Sequence, residues 1–190
     1  LLMINSHQPL TGPVSWYEAH LQSGEGLNVM GGLFIGAPAL GVGFNEHHGW
    51  GATVNQPDLV DVYVLEMDPK DDSRYRVDGE WLELESFDIP IKVLLWGWLP
   101  WTLKEKGYRS IHGPVMKTDH GTYALRYAGM DEIRQVEQWL AMSTATSFEE
   151  WQEAMALQHI ASFNFVYANA DGDIHFVHNA MMPRRAAGWQ

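Results

Sequence analysis

Gly49-Trp50-Gly51-Ala52-Thr53-Val54-Asn55-Gln56-Pro57-Asp58-Leu59-Val60-Asp61-Val62-Tyr63 joins one apolar, strand-like run to a second through a turn with two carboxylates three residues apart. In an extended strand, residues at that spacing face opposite sides of the sheet, so Asp58 and Asp61 converge only where the chain bends. Pro57 fixes its own φ and removes a donor, which favours the bend. Two hard oxygen donors with a free carbonyl between them, at Val60, suit calcium. That ion takes about six to eight oxygens, so other groups would have to complete the shell. The same spacing also describes a solvated acidic turn between two strands.

Outward from this stretch, the chain up to about residue 125 reads as strands joined by Gly-rich turns, at residues 2–6, 16–21, 27–35, 40–45, 51–54 and 62–68. Residues 74–84 spell a hairpin, since Asp78-Gly79 supplies the positive φ of a primed turn between alternating residues. The apolar run 91–103 is too short to span a membrane and is interrupted by Gly97 and Pro100, which predicts a buried strand with a turn. Its tryptophans, Trp96, Trp98 and Trp101, also suit an interface. After a further extended segment at 122–127 the period changes. Ile133, Val136 and Leu140 recur at helical spacing behind Asp131, and Ser147-Phe148-Glu149-Glu150 forms a capping box ahead of Trp151 and Met155. A second hairpin, 163–168 and 174–179, turns at Asp171-Gly172. Helices lying between β segments predict an α+β arrangement.

The chain has 190 residues, 46% of them hydrophobic and 12% aromatic, enough to bury one core. Twelve basic against twenty-four acidic side chains give a net charge of -12, and no basic cluster exceeds Arg184-Arg185. Phosphate backbones and anionic lipid surfaces are therefore poor partners, and neither nucleic-acid binding nor stable membrane insertion is expected. With no cysteine, disulfides, thiolate zinc sites and cysteine nucleophiles are excluded. No basic segment followed by an apolar one opens the chain, and both ends break off in mid-pattern, which reads as a fragment of something longer.

Nine histidines invite a metal or triad reading. The adjacent pair His47-His48 points to opposite sides of a strand, as do His175 and His178. No H-E-x-x-H and no G-x-S-x-G occurs, which argues against a zincin or an α/β-hydrolase. His7 differs in context, because Asn5-Ser6-His7-Gln8-Pro9 closes an apolar strand where functional side chains are commonly placed. A neutral imidazole there can accept a proton or orient a nucleophile, and equally can be a structural residue.

Taken in order, Asn5-x-His7-x-Pro9, Trp16-Tyr17-Glu18-x-His20-Leu21, Gly36-Ala37-Pro38, Gly43-x-Asn45, Trp50-Gly51-x-Thr53, Asp58-x-x-Asp61-x-Tyr63, Ser110-x-x-Gly113-Pro114-Val115, Asn164-Phe165-x-Tyr167-Ala168 and Pro183-x-Arg185 cover nearly the whole chain. The series resembles the penicillin acylase family of N-terminal-nucleophile hydrolases, and within it the branch that cleaves N-acyl-homoserine lactones. The resemblance implies a single partial domain over residues 1–190, a portion of the β-subunit with the αββα four-layer sandwich incomplete. It also implies a self-cleaving, exported precursor, periplasmic or secreted, with a small α-subunit as partner and a small N-acyl compound as substrate. The nucleophile would be a serine ahead of Leu1 whose own α-amino group is the base. By itself the fragment would be inactive.

Site residues carried over by the resemblance are supporting ones. His7 matches the position beside the nucleophile, and Val54 matches the residue whose backbone N–H forms half of the oxyanion hole. Asp58 and Asp61, with the carbonyls of Val60 and Pro183, match the ligands of a structural calcium; no organic cofactor is implied. A β-lactam or cyclic-lipopeptide acylase keeps the same fold with another substrate. A non-catalytic, calcium-stabilised β-rich binding module is the alternative from a different class.

Overall fold

The computed structural model describes residues 1–188 and divides into two compact units, one of residues Leu1–Leu59 together with the chain from Ala128 onward, the other Val60–Tyr127. Leu59 and Ala128, where the chain leaves the first unit and returns to it, meet through a hydrogen bond from the Ala128 N–H to the Leu59 carbonyl at 2.9 Å.

In the first unit β1 (Trp16–Gln22), β2 (Asn28–Phe34), β3 (Val42–Phe44), β4 (His48–Thr53), β13 (Ser162–Asn169) and β14 (Ile174–Ala180) form one antiparallel sheet in the order β1-β2-β3-β4-β13-β14. The expected second hairpin is β13–β14, with Gly172 at φ 102° in its turn. Two helices, α1 (Gln135–Thr144) and α2 (Phe148–Ala156), cover one face. Trp50, Phe165 and Tyr167 from the strands pack there with Met142, Trp151 and Ile160, and the Trp50, Trp151 and Tyr167 rings alone bury enough apolar area to fix the register. α2 starts at the predicted cap: Ser147 is N-cap and accepts from the Glu150 N–H at 3.2 Å, while the Glu150 carboxylate reaches one residue further back than a capping box does and accepts from the Thr146 N–H at 2.7 Å.

α1 departs from expectation. It begins at Gln135, without a side-chain cap, and the predicted apolar face of Ile133, Val136 and Leu140 is exposed. Gln138, Met142 and Ser143 point inward instead. The reason is a pairing that apolar periodicity does not register, in which the fully buried Gln138 amide accepts from the Ile160 N–H at 2.9 Å. Asn45, in the β3–β4 turn, donates to the Ser143 and Ala145 carbonyls at 3.1 and 2.9 Å and accepts from the N–H groups of His47 and His48. It therefore ties the turn to the carbonyl end of α1, whose last carbonyls lack partners within the helix.

Residues 2–6 form no strand. They run extended across the sheet, with Leu2, Ile4, Ser6 and Gln8 half-buried and the residues between exposed. Glycines make this approach feasible, since a Cβ at Gly51 would stand 2.6 to 2.9 Å from Ile4 atoms, and one at Gly49 would stand 3.2 Å from Leu2.

The second unit is all β. β5 (Val60–Val64), β9 (Glu85–Leu95), β10 (Leu99–Ser110), β11 (Gly113–Thr118) and β12 (Gly121–Tyr127) lie in the order β5-β12-β11-β10-β9, and β6 (Met67–Asp68), β7 (Asp71–Val77) and β8 (Glu80–Glu83) make a second sheet. Leu65, Tyr75, Leu84 and Ala124 form its core, and the Tyr75 hydroxyl accepts from the Ile111 N–H at 2.9 Å. The Asp78-Gly79 turn has both φ angles positive, 51° and 91°, as expected of a primed hairpin. The run 91–103 contains the predicted turn but is not buried. It belongs to the β9–β10 hairpin, and Trp96, Trp98 and Trp101 are exposed. Among the described residues no helix is long and apolar enough to cross a membrane.

Candidate functional site

β4 carries its last ladder pair at Thr53, opposite Asn164, and Val54 follows directly with its side chain exposed. On the other flank β3 has already stopped, since its pairs with β4 are Gly43↔Trp50 and Phe44↔Gly49. The end of β4 is thus left free on that side, and the N-terminal segment fills it: the Ser6 hydroxyl donates to the Ala52 carbonyl. Ser6, Gln8 and Val54 line an apolar crevice with Trp16, Phe34 and Phe163. Trp16 and Phe34 stack over one another, centroids 4.6 Å apart and planes 11° from parallel. The free volume is about 30 Å³, room for about one water.

His7 lies between two residues of this crevice, but its ring is turned away. Its φ is 54°, its N–H donates to Asn5 Oδ1 at 2.9 Å, and its side chain is exposed. The fold therefore brings the backbone around His7 beside Val54 and leaves the imidazole facing solvent.

Next to Val54 is a polar track the sequence reading missed. Asn164 donates to Thr53 Oγ1 at 3.3 Å, and His178 Nδ1 lies 2.9 Å from Asn164 Oδ1. Treating His178 only as half of a strand pair with His175 hid it. The hairpin register, which sets Asn164 opposite His178, was the signal that would have found it. His175 does face the other way, against Phe148 and Trp151.

Asp58 meets a cation of the chain's own. Arg185 Nη1 is 3.2 Å from Asp58 Oδ2, and Arg185 Nη2 donates to the Asp58 carbonyl at 3.1 Å. Asp61 and Val60 belong to β5 of the other unit, and Pro183 lies two residues before Arg185. Among the described residues no group of three or more His, Cys, Asp or Glu side chains is arranged to hold a metal.

A larger cavity of about 460 Å³ lies at the opposite end of β4, lined by Leu1, Leu2, Phe44, His47, Gly49 and Asn169 among others. Beneath it His48 is buried between Trp50 and Tyr167, with Nε2 3.2 Å from the Met142 carbonyl. A carbonyl only accepts, so Nε2 carries the hydrogen. Burial holds the imidazole below the usual histidine value, and the Met142 carbonyl offsets this in part.

The penicillin amidase family model matches residues 1–190. The chain is similar to the acyl-homoserine lactone acylase PvdQ of Pseudomonas fluorescens (strain Pf0-1), 29% identical over 191 residues that cover 96% of this chain and 25% of that protein. It is also similar to the penicillin G acylase of Escherichia coli, 28% identical over 169 residues, 87% of this chain and 19% of that one. Among solved structures it resembles the thermostable penicillin G acylase of Alcaligenes faecalis with a TM-score of 0.78 and 26% identity, over 90% of this chain and 31% of that chain. The chain spans about a quarter of the length of the PvdQ proteins it matches. The family model spans the full chain and the structural likeness covers nine-tenths of it, and the chain belongs to the penicillin amidase family.

Proposed function

We propose that this chain is part of an amidohydrolase that cleaves the amide of N-acyl compounds such as N-acyl-homoserine lactones, through an N-terminal serine lying ahead of Leu1. The observation that carries this reading is the apolar crevice beside Val54, at the end of β4. A backbone N–H at a strand end is held by the ladder behind it, so it stabilises a developing oxyanion without reorganising. Trp16, Phe34 and Phe163 then offer an acyl tail a place next to that donor. His7 orients the nucleophile in this reading, and the remaining oxyanion donor comes from outside the chain. The small α-subunit completes the enzyme, which works outside the cytoplasm. The sandwich gains its other sheet and helix layers from those other parts.

Calcium is part of the proposal only for the complete protein. There Asp58, Asp61 and the carbonyls of Val60 and Pro183 would be this chain's share of an oxygen shell that other segments finish. Asp58 would divide its charge between the ion and Arg185. Metal content of the complete protein by mass spectrometry, and its melting temperature with and without a chelator, test this apart from activity.

The crevice as it stands is too narrow for a long tail, so a long-chain substrate has to displace the Trp16–Phe34 stack. The complete gene product, incubated with N-acyl-homoserine lactones of graded length, should release homoserine lactone, and Trp16→Ala should shift preference toward longer chains. His7→Ala should lower kcat by roughly 10²-fold, the loss that a misplaced reacting group produces. A single unprocessed chain that releases no lactone and no acid would reject the proposal. Release of a β-lactam nucleus or a lipopeptide tail, with no lactone turnover, would keep the reaction and replace the substrate.

A further inference from the structure

The β9–β10 hairpin is a two-stranded arm. β10 pairs with β11 only from Tyr108 to Ser110, whereas it pairs with β9 all the way to Leu99↔Leu95. From Gly107↔Phe87 outward the ribbon has no third strand among the described residues, a reach of roughly 30 Å at about 3.3 Å per residue. Along the lower arm the two faces differ. Phe87, Ile89, Ile91 and Leu103 lie on one, with Glu105 opposite Ile89 as its charged member, and Asp88, Lys92, Thr102, Lys104 and Lys106 on the other, with Lys106 and Asp88 paired at 2.7 Å. A face that is mainly apolar suits a ribbon lying on protein.

The last rungs depart from this pattern. Residues 93–101 read Val-Leu-Leu-Trp-Gly-Trp-Leu-Pro-Trp, without a polar side chain on either face. Trp96 and Trp98 are 80% and 71% exposed, and Leu94 and Trp101 are more than half exposed. A tip apolar on both faces matches a medium that surrounds it, whereas a protein surface covers one side. Two donors of the turn are paired within it: the N–H groups of Gly97 and Trp98 donate to the carbonyls of Leu94 and Leu95. A hydrogen-bonded turn can leave water without stranding those groups. Tryptophan suits the boundary between hydrocarbon and headgroup, and the first charges below the tip are Lys92 and Lys104, with no acid between Asp88 and Glu105.

We propose that this tip dips into the interface of a zwitterionic phospholipid bilayer, with Lys92 and Lys104 at the level of the phosphates. Docking is peripheral and reversible, since one hairpin tip does not span a bilayer. A zwitterionic surface is the fitting partner because the chain as a whole carries -12 and is repelled by a strongly anionic one. This inference stands apart from the acylase reading, because its test needs no turnover.

The test is flotation of the complete protein with phosphatidylcholine vesicles, together with quenching of tryptophan emission by bromine-labelled acyl chains. The wild type should float and be quenched. The double variant Trp96→Ser/Trp98→Ser should lower the bound fraction at least tenfold and leave the melting temperature unchanged. Lys92→Glu/Lys104→Glu should weaken binding less. A wild type that does not float overturns the proposal, as does a tip variant that floats equally well. A tip variant that loses melting temperature would show the tip packed inside the complete protein. A tip-dependent dimer in lipid-free sedimentation would assign it to a second copy. Either result also rejects the lipid partner.

Discussion

Arg185 grips Asp58 at two points, the carboxylate at 3.2 Å and the main-chain carbonyl at 3.1 Å. The guanidinium side chain is mostly covered while the carboxylate is mostly exposed, so the two contacts differ in weight. An exposed ion pair contributes little, whereas a charged donor on a carbonyl fixes the chain. Arg185→Gln should therefore lower stability by about 1 kcal/mol, and Asp58→Asn, which keeps the carbonyl contact, by less than about 0.5 kcal/mol. Urea titration of both variants checks this. Equal losses would place the whole effect on the ion pair.

Gly51 is the floor on which Ile4 rests. A methyl group there would meet Ile4 well inside contact distance, and overpacking of this kind costs about 1–3 kcal/mol. The cheapest relief is for residues 1–9 to lift off, because no ladder holds them. Gly51→Ala should expose this segment to limited proteolysis and, in the complete protein, lower activity through the displaced Ser6–His7–Gln8 stretch while the helices stay intact by circular dichroism.

Asn45 makes four hydrogen bonds with one amide group. Asn45→Ala leaves two carbonyls and two N–H groups short of a partner, which should cost about 2–3 kcal/mol. Asn45→Asp should do nearly as much damage, because a carboxylate accepts from the His47 and His48 N–H groups but cannot donate to Ser143 and Ala145. Thermal unfolding of the two variants separates loss of donors from loss of the whole side chain.

His48 is buried, and its folded-state pKa is below the ordinary value of 6.5. The unfolded chain therefore binds a proton at a pH where the folded one does not, so its contribution is complete above 6.5 and is lost as the pH falls through that value. The melting temperature should drop between about pH 7.5 and about pH 5. His48→Gln, which can still donate to the Met142 carbonyl, should flatten the slope over that interval. An unchanged slope would assign the pH dependence to other histidines.

Local chemistry was the part of the fold most open to reading from sequence. Asp78-Gly79 and Asp171-Gly172 marked hairpins, and Ser147 with Glu150 marked a helix start, because each signal acts within a few residues. Less legible were choices made over distance. Which face α1 buries depends on Gln138 meeting Ile160, and an apolar run at 91–103 looks the same whether protein covers it or not. For the site, the order of motifs pointed to the ends of β4, yet Thr53–Asn164–His178 depends on strand register and Arg185–Asp58 on a contact across more than a hundred residues. The outward turn of His7 arises from a positive φ that an Asn5 side chain supports, a geometry no hydropathy pattern encodes.

The hydrogen bond between Leu59 and Ala128 ties together the two points at which the chain departs for the second unit and comes back. An excursion whose ends meet can lengthen, shorten or change its surface without asking the strands behind it to move. A change in the length or surface of the β9–β10 arm is therefore one that the β4 end, where Val54 stands, need not register.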